Sequence, residues 1–111
     1  PQYSAMKAGL SNFTVSLAQT LAPDKILVNS ISPGPVWSKS WENEAREQSN
    51  GSSLEQTKKE IMEQTGKTVP LNRMGMPEDL TGLALFLASE QSAWITATNF
   101  NVDGGLTRNP F

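Results

Sequence analysis

The chain has 111 residues, of which 37% are apolar and 18% charged, and its formal net charge is −2. This length suits one domain, and the composition is typical of a soluble globular protein rather than a disordered or fibrous one. The absence of any block of like charge argues against nucleic acid or an anionic membrane surface as the main partner, and no apolar run reaches the ~20 residues needed to cross a bilayer.

Cysteine and histidine are absent from the sequence. Disulfides, thiol chemistry and a Ser-His-Asp triad therefore cannot come from this chain, and we expect no metal site. A chain without cysteine fits the reducing cytoplasm. Acid–base chemistry near neutral pH must use tyrosine, lysine or a carboxylate with a displaced pKa. The chain begins with Pro1 rather than methionine, which suggests a processed, truncated or incomplete sequence.

The first predicted element is a helix over residues 4–21. Its apolar side chains recur at three- and four-residue steps and predict one buried stripe: Met6, Leu10, Phe13, Leu17 and Leu21. Tyr3 and Lys7 are four residues apart and share a face of this helix. An ammonium group lowers the pKa of a nearby phenol, so the pair could exchange a proton with an alcohol or carbonyl. The alternative is that Tyr3 packs at the helix start and Lys7 is solvated.

A short run rich in β-branched residues, 26–31, predicts a strand buried on both faces. The turn at residues 32–36 ends this strand, because Pro33 and Pro35 cannot donate to a ladder and Gly34 frees the backbone. Ligands bind outside the carboxyl ends of strands in open α/β sheets, so this turn is a candidate ligand site. The alternative is a plain chain reversal.

The remaining predicted elements are two short surface helices, a longer helix and a strand: residues 41–48, 54–64, 77–89 and 98–102. Ser53, followed three residues later by Gln56, is a helix N-cap signal, and Pro77 suits a first helical position. Phe100 and Val102 alternate with polar residues, as in a half-buried strand. The order of helix, strand, long excursion, helix and strand predicts an α/β layer architecture.

The most polar part of the chain, residues 37–69, carries two tryptophans. Trp37 and Trp41, with Met62 further on, either line an apolar pocket as part of a mobile lid or pack as ordinary core residues.

Four motifs occur in the order and spacing of one enzyme family: YSAMKAGL at 3–10, VNSISPGPV at 28–36, PLNRMGMPED at 70–79 with LFLAS at 85–89, and VDGG at 102–105. They resemble the short-chain dehydrogenase/reductases. The resemblance implies that residues 1–111 are the C-terminal part of a single NAD(P)-binding domain. Its fold would be a Rossmann-like, doubly wound parallel sheet whose N-terminal half is missing here, with residues 37–69 as the substrate lid.

The resemblance also implies roles for individual residues. Tyr3 would be the catalytic acid–base, and Lys7 would hold the nicotinamide ribose and depress the tyrosine pKa; both would contact the cofactor. Further cofactor contacts would come from the turn and the residues after it: Pro33, Gly34, Val36 and Ser38. The substrate lid would contribute Trp37, Trp41 and Met62. The implied reaction is hydride transfer between NAD or NADP and an alcohol or carbonyl carbon, with tyrosine handling the hydroxyl proton.

Two departures from the family pattern stand out. Ala97 occupies a position where the family commonly has glycine, which costs on the order of 1 kcal/mol if positive φ is needed there. The glycine-rich phosphate turn, the residue that selects between the two dinucleotides, and the catalytic serine precede the tyrosine in the family and are not in this sequence. We therefore expect these 111 residues to be inactive alone, because transition-state positioning needs the bound cofactor.

The expected partners are a small alcohol or ketone substrate and a second copy of the chain. The resemblance implies a homodimer or homotetramer formed through the last helix and strand. Neither nucleic acid nor a membrane is an expected partner, on the grounds of charge and apolar runs given above. The alternative function is a non-catalytic remnant that acts as a binding or oligomerisation module.

Overall fold

A computed structural model describes residues 2–51 and 53–107, except for the side chains of Tyr3 and Ser4. The chain divides into two compact units. Unit 1 consists of Pro1–Ser32 and Gly82–Phe100, and unit 2 of Pro33–Thr81 and Asn101–Phe111.

The helices and strands in chain order are α1 (Gln2–Leu21), β1 (Ser30–Pro33), α2 (Lys39–Ser49), α3 (Leu54–Gly66), α4 (Glu78–Leu87) and β2 (Asn99–Val102). Short 3₁₀ turns lie at Ala22–Asp24 and Glu90–Ser92. This order confirms the predicted α/β arrangement, and every predicted helix is present with ends shifted by a few residues. No described helix combines the length and apolar content needed to cross a membrane.

The two strands pair in parallel. The Ser30 N–H donates to the Thr98 carbonyl at 3.0 Å, and the Gly34 N–H donates to the Val102 carbonyl at 2.9 Å, with the same register throughout. Burial alternates along β2 as predicted, because its two asparagines are exposed while its other two residues are half-buried. The carboxyl ends of both strands therefore lie side by side, next to the turn that follows β1.

The prediction for the first strand was wrong in position and in burial. The strand begins at Ser30 rather than at residue 26, because its partner β2 begins at Asn99 and a ladder cannot extend past its partner. Ile26 and Leu27 are exposed, and β1 itself is half-buried or exposed. The β-branched run indicates an extended segment but does not show what covers its faces.

The predicted burial of the apolar stripe on α1 was also wrong for its first three residues, whereas Leu17 and Leu21 are half-buried. Met6, Leu10 and Phe13 are 74%, 64% and 62% exposed. Among the described side chains of this helix, those of Thr14 and Ala18 are buried, and they lie on another side of it. The periodicity therefore correctly predicts a helix, but the first half of its apolar stripe is not covered within unit 1.

Unit 2 is built around the α2–α3 helix pair. Ser53 caps α3 as predicted, and its hydroxyl accepts the Gln56 N–H at 3.4 Å. The small core of this unit consists of Trp37, Ala45 and Met74, against which the inner sides of both helices pack.

Ala97 has the left-handed backbone conformation that glycine favours, with φ of 59°. Hydrogen bonds on either side fix it there, since the Ala97 N–H donates to the Val28 carbonyl at 2.9 Å and the Thr98 N–H donates to Asn29 Oδ1 at 3.1 Å. The position therefore needs positive φ, and alanine occupies it under strain.

Candidate functional site

The predicted catalytic pair lies at the start of α1. Tyr3 and Lys7 are one helical turn apart in unit 1, and Lys7 is exposed. The Tyr3 side chain falls outside the described residues, so its acid–base role stays a prediction.

The turn after β1 is hydrogen bonded to the end of β2. The Gly34 N–H donates to the Val102 carbonyl at 2.9 Å. A Cβ atom at position 34 would lie 2.6 Å from the Cβ of Asp103 and 2.8 Å from its Cα. These distances are far shorter than van der Waals contact, so glycine is required for this close approach rather than for an unusual backbone angle.

A second attachment holds the other side of the turn. The Gly75 N–H donates to the Pro35 carbonyl, and the Trp37 N–H donates to the Gly75 carbonyl, both at 2.9 Å. Gly75 thus forms a parallel bridge to Val36 through the neighbours of that residue.

This bridge leaves the main chain of Val36 itself available. No described residue accepts the Val36 N–H or donates to its carbonyl oxygen. One donor and one acceptor on a fixed backbone segment match the primary carboxamide of a nicotinamide, which has the complementary acceptor and donor. The residues present in the turn therefore fit the cofactor that the sequence motifs imply.

The turn bounds a small cavity in unit 2 of about 150 Å³, lined also by Val69, Leu71 and Gly104. Ligand pockets usually measure about 300–1,000 Å³. The cavity is therefore too small to enclose a dinucleotide.

An ion pair fixes the segment that carries Gly75. Arg73 donates from Nη1 and Nη2 to the two carboxylate oxygens of Asp79, both at 2.8 Å, and Nη1 also donates to the Met74 carbonyl at 3.3 Å. Asp79 Oδ2 accepts the Met76 N–H at 2.8 Å. The hydrogen bonds from Arg73, followed by the one from Met76, hold the pKa of Asp79 well below its usual range. We call Arg73 and Asp79 the clamp.

The clamp was not predicted from the sequence, where Arg73 and Asp79 were both placed in the motif at residues 70–79 but were not paired. Helical spacing cannot find it, because its two residues are six apart and joined through a turn. The available signal was an arginine and an aspartate on either side of a Gly-x-Pro turn.

The VDGG turn is closed by its own aspartate. Asp103 accepts the N–H groups of Gly105 and Thr107 at 3.0 and 3.1 Å, as well as the Thr107 hydroxyl. The Thr107 hydroxyl, more than the backbone amides, lowers the pKa of Asp103 below its ordinary value. The carboxylate is thus engaged in holding its loop beside Gly34.

Ser38 is exposed at the N-cap position of α2. Its carbonyl accepts the Glu42 N–H at 3.0 Å, whereas its hydroxyl makes no capping hydrogen bond to the described helix.

The two tryptophans of the predicted lid pack together. The Trp37 and Trp41 rings stack with centroids 6.3 Å apart, and Trp37 is only 9% exposed. The Trp37 Nε1–H donates to Glu42 at 3.1 Å, and the Lys58 ammonium lies 3.1 Å from the same carboxylate and 5.5 Å from the Trp37 ring centroid. The hydrogen bond from Lys58, more than the one from Trp37, lowers the pKa of Glu42.

Met62 packs against this core and lines an open groove of about 560 Å³ along α3. Of the three predicted lid residues, the structure thus places two in a stack and one at a groove. Whether the segment moves as a lid stays a prediction.

The family model for enoyl-(acyl carrier protein) reductase, a short-chain dehydrogenase/reductase, matches residues 1–107.

The chain belongs to the short-chain dehydrogenase/reductase family.

Members of the family with similar sequences include an uncharacterized oxidoreductase of Mycobacterium tuberculosis, 41% identical over 103 residues. A 3-oxoacyl-[acyl-carrier-protein] reductase of Aquifex aeolicus is 38% identical over 104 residues. These matches cover 93% and 94% of the chain, but each covers only 37% of the relative.

A solved structure of the family shows the same fold. L-sorbose reductase from Gluconobacter frateurii, in complex with NADPH and L-sorbose, aligns with a TM-score of 0.83 at 29% identity. The alignment covers 98% of this chain and 41% of the reductase. The predicted fold class, part of a Rossmann-like parallel sheet, is confirmed.

Proposed function

We propose that the native protein containing this chain is an NAD(P)-dependent oxidoreductase acting on an alcohol or carbonyl substrate. Residues 1–111 would form part of its single dinucleotide-binding domain. The proposal is supported by the N–H and carbonyl of Val36, which bond to no described residue and lie in a turn that is hydrogen bonded on both sides, in a chain of this family. When bound, the dinucleotide accepts or donates the hydride.

The residues of this chain would handle the proton and hold the nicotinamide. Tyr3 exchanges the proton of the substrate hydroxyl. A phenol has a pKa near ~10 in water, so it needs a nearby positive charge to act at neutral pH, and Lys7 on the same helix face supplies one. Val36 binds the carboxamide through its main chain.

Other residues complete the cofactor site. Pro33 and Gly34 lie against the ring side of the nicotinamide in this proposal, and Ser38 faces the phosphates. Two observations support that role for Ser38: the residue is exposed, and its hydroxyl makes no capping hydrogen bond to the described part of α2. The dinucleotide in this proposal is NAD or NADP.

The substrate class is a small alcohol or ketone. Relatives of known name reduce a 3-oxoacyl group or L-sorbose, both of which carry a carbonyl. We propose that residues 37–69 cover the substrate, with Trp37 and Trp41 as a rigid apolar support and Met62 at the adjoining groove.

Replacing Tyr3 by phenylalanine in the native protein tests the catalytic assignment. We expect the turnover number to fall by at least about 100-fold, because a positioned acid–base contributes roughly 10²–10⁴-fold. The dinucleotide dissociation constant should change far less, and circular dichroism should show the fold intact. Gln19→Ala, an exposed change on the same helix, is the matched control and should keep its turnover. Near-normal turnover in Tyr3→Phe would overturn the assignment.

We further propose that the protein is a cytoplasmic homodimer or homotetramer associating through α4 and β2. Exposed apolar side chains on and just after α4 support this, since Leu85 is 67% exposed and Trp94 is 99% exposed. The absence of cysteine fits a reducing compartment.

A second candidate function is a non-catalytic binding or oligomerisation module. The uncovered stripe of Met6, Leu10 and Phe13 favours it, because such a face gains free energy when covered. Dinucleotide binding distinguishes the two functions. An oxidoreductase binds NADH or NADPH in a fluorescence titration, whereas the module leaves the fluorescence of both unchanged.

A further inference from the structure

We infer that the clamp, Arg73 with Asp79, positions the dinucleotide, although neither residue touches it. The inference rests on the proposed function, in which Val36 binds the nicotinamide carboxamide. Arg73 and Asp79 would act through Gly75 and are therefore positioning residues.

The argument starts from the two peptide groups that flank Gly75. In the peptide group between residues 74 and 75, the carbonyl accepts a hydrogen bond from Arg73 and the N–H donates to the Pro35 carbonyl. In the peptide group between residues 75 and 76, the N–H donates to the Asp79 carboxylate and the carbonyl accepts the Trp37 N–H.

Each peptide group is a rigid plane, so a force applied on one side is transmitted to the other. The clamp therefore holds both neighbours of Val36 through two planar units. The two segments are also closely packed, since a Cβ on Gly75 would lie 3.0 Å from the Val36 side chain. Val36 therefore has little room to move towards Gly75. The N–H and carbonyl of Val36 are thus presented in one place and one direction.

Bidentate geometry suits this task. The planar guanidinium donates to both oxygens of Asp79 and also to the Met74 carbonyl. A lysine ammonium would supply the charge without the pair of parallel N–H donors. Both partners are partly exposed, with 57% and 34% of the side-chain surface accessible, so a purely stabilising role would be small.

The first measurement is amide hydrogen exchange of the native protein without dinucleotide. Asp79→Ala and Arg73→Lys should accelerate exchange at the amides of Trp37 and Gly75, which are bonded across the bridge. The Ser30 amide, bonded to Thr98 in unit 1, is the internal reference and should not change. Unchanged exchange at the Trp37 amide would overturn the inference.

The second measurement is the dissociation constant for NADH and NADPH, followed by the split between KM and turnover. We expect Asp79→Ala to weaken dinucleotide binding about tenfold, while turnover at saturating dinucleotide stays within about threefold, because lost preorganisation mainly affects binding. Asp79→Asn keeps an acceptor for the Met76 N–H and should lose less. Glu78→Gln removes the neighbouring carboxylate from the same helix start and should match the wild type.

The outcomes separate the two proposals. A wild type that binds neither dinucleotide overturns the proposed function together with this inference. If the wild type binds and Asp79→Ala exchanges faster at Trp37 with unchanged affinity, only the inference fails. A fall in turnover with unchanged dinucleotide KM would likewise show a structural role and overturn the positioning role.

Discussion

Ala97 shows how a single residue can be held in a conformation that its side chain disfavours. Two hydrogen bonds fix its φ of 59°: the Ala97 N–H donates to the Val28 carbonyl, and the N–H of the next residue donates to Asn29. Replacing it by glycine removes the Cβ strain, and the loss of chain stiffness in the unfolded state offsets only part of the gain.

We therefore expect Ala97→Gly to raise the free energy of unfolding of the native protein by about 1 kcal/mol. Chemical denaturation measures it directly. Ala93→Gly is the matched control, because Ala93 has an ordinary φ of −60° and glycine there should be neutral or destabilising. An equal effect of both changes would contradict the strain argument.

At the scale of the element, the Arg73–Asp79 ion pair at the start of α4 makes the stability of the folded protein depend on pH. The hydrogen bonds from Arg73 and the Met76 amide hold the pKa of Asp79 in the folded state well below its usual value. An unfolded aspartate titrates near ~3.9, so between neutral pH and that value the folded state keeps the charge that stabilises it. As the pH falls further, the unfolded state binds the proton first, and the stabilisation is lost.

The free energy of unfolding should therefore fall as the pH drops from 5 to 3, and Asp79→Asn should flatten that slope. Denaturation at several pH values checks it. Glu78→Gln, one residue earlier, should keep the wild-type slope. A slope that is identical in Asp79→Asn and the wild type would show that this carboxylate is not responsible.

The sequence predicted the helices and β2 well, because their signals are local. The N-cap of α3, the proline before α4 and the apolar spacing of α1 all depend on neighbours a few residues away. The burial of α1 and the position of β1 could not be predicted in the same way. Both depend on which surfaces lie opposite, and Met6 or Ile26 is equally apolar whether or not something covers it.

In the candidate site, too, local features were predicted and long-range contacts were not. The turn with Gly34 and Val36 was predicted from its position after a strand and its proline pattern. Its attachments were not, because Gly75 and Asp103 come from distant parts of the chain and act through the backbone or through close approach. A pattern of side-chain types carries no record of which main-chain groups remain unpaired.

At the scale of the whole molecule, we expect the apolar surface outside the core of unit 2 to determine how copies of the chain associate. Leu85 and Trp94 lie in unit 1 and are among its most exposed large side chains. Burying one leucine side chain contributes roughly 1.5–3 kcal/mol, so a few such contacts on each copy can hold a dimer.

We expect Leu85→Glu to shift the native protein towards a smaller assembly, because a buried unpaired carboxylate is costly. Native mass spectrometry or light scattering measures the change. Gln91→Glu adds the same charge at an exposed polar position nearby and should leave the mass unchanged. An unaltered mass in Leu85→Glu would exclude this surface as the interface.

The parallel pairing of β1 and β2 also sets an order of folding. Ser30 and Asn99 hydrogen bond across 69 positions of the chain, whereas α2 and α3 are joined by residues 50–53 alone. Closing the longer loop costs about 2 kcal/mol more in chain entropy, and local contacts form sooner than distant ones. The helix pair should therefore assemble early and the ladder late. The turn after β1 would then reach its final conformation in the last steps of folding, when β2 pairs with β1 and the Gly34 N–H bonds to Val102.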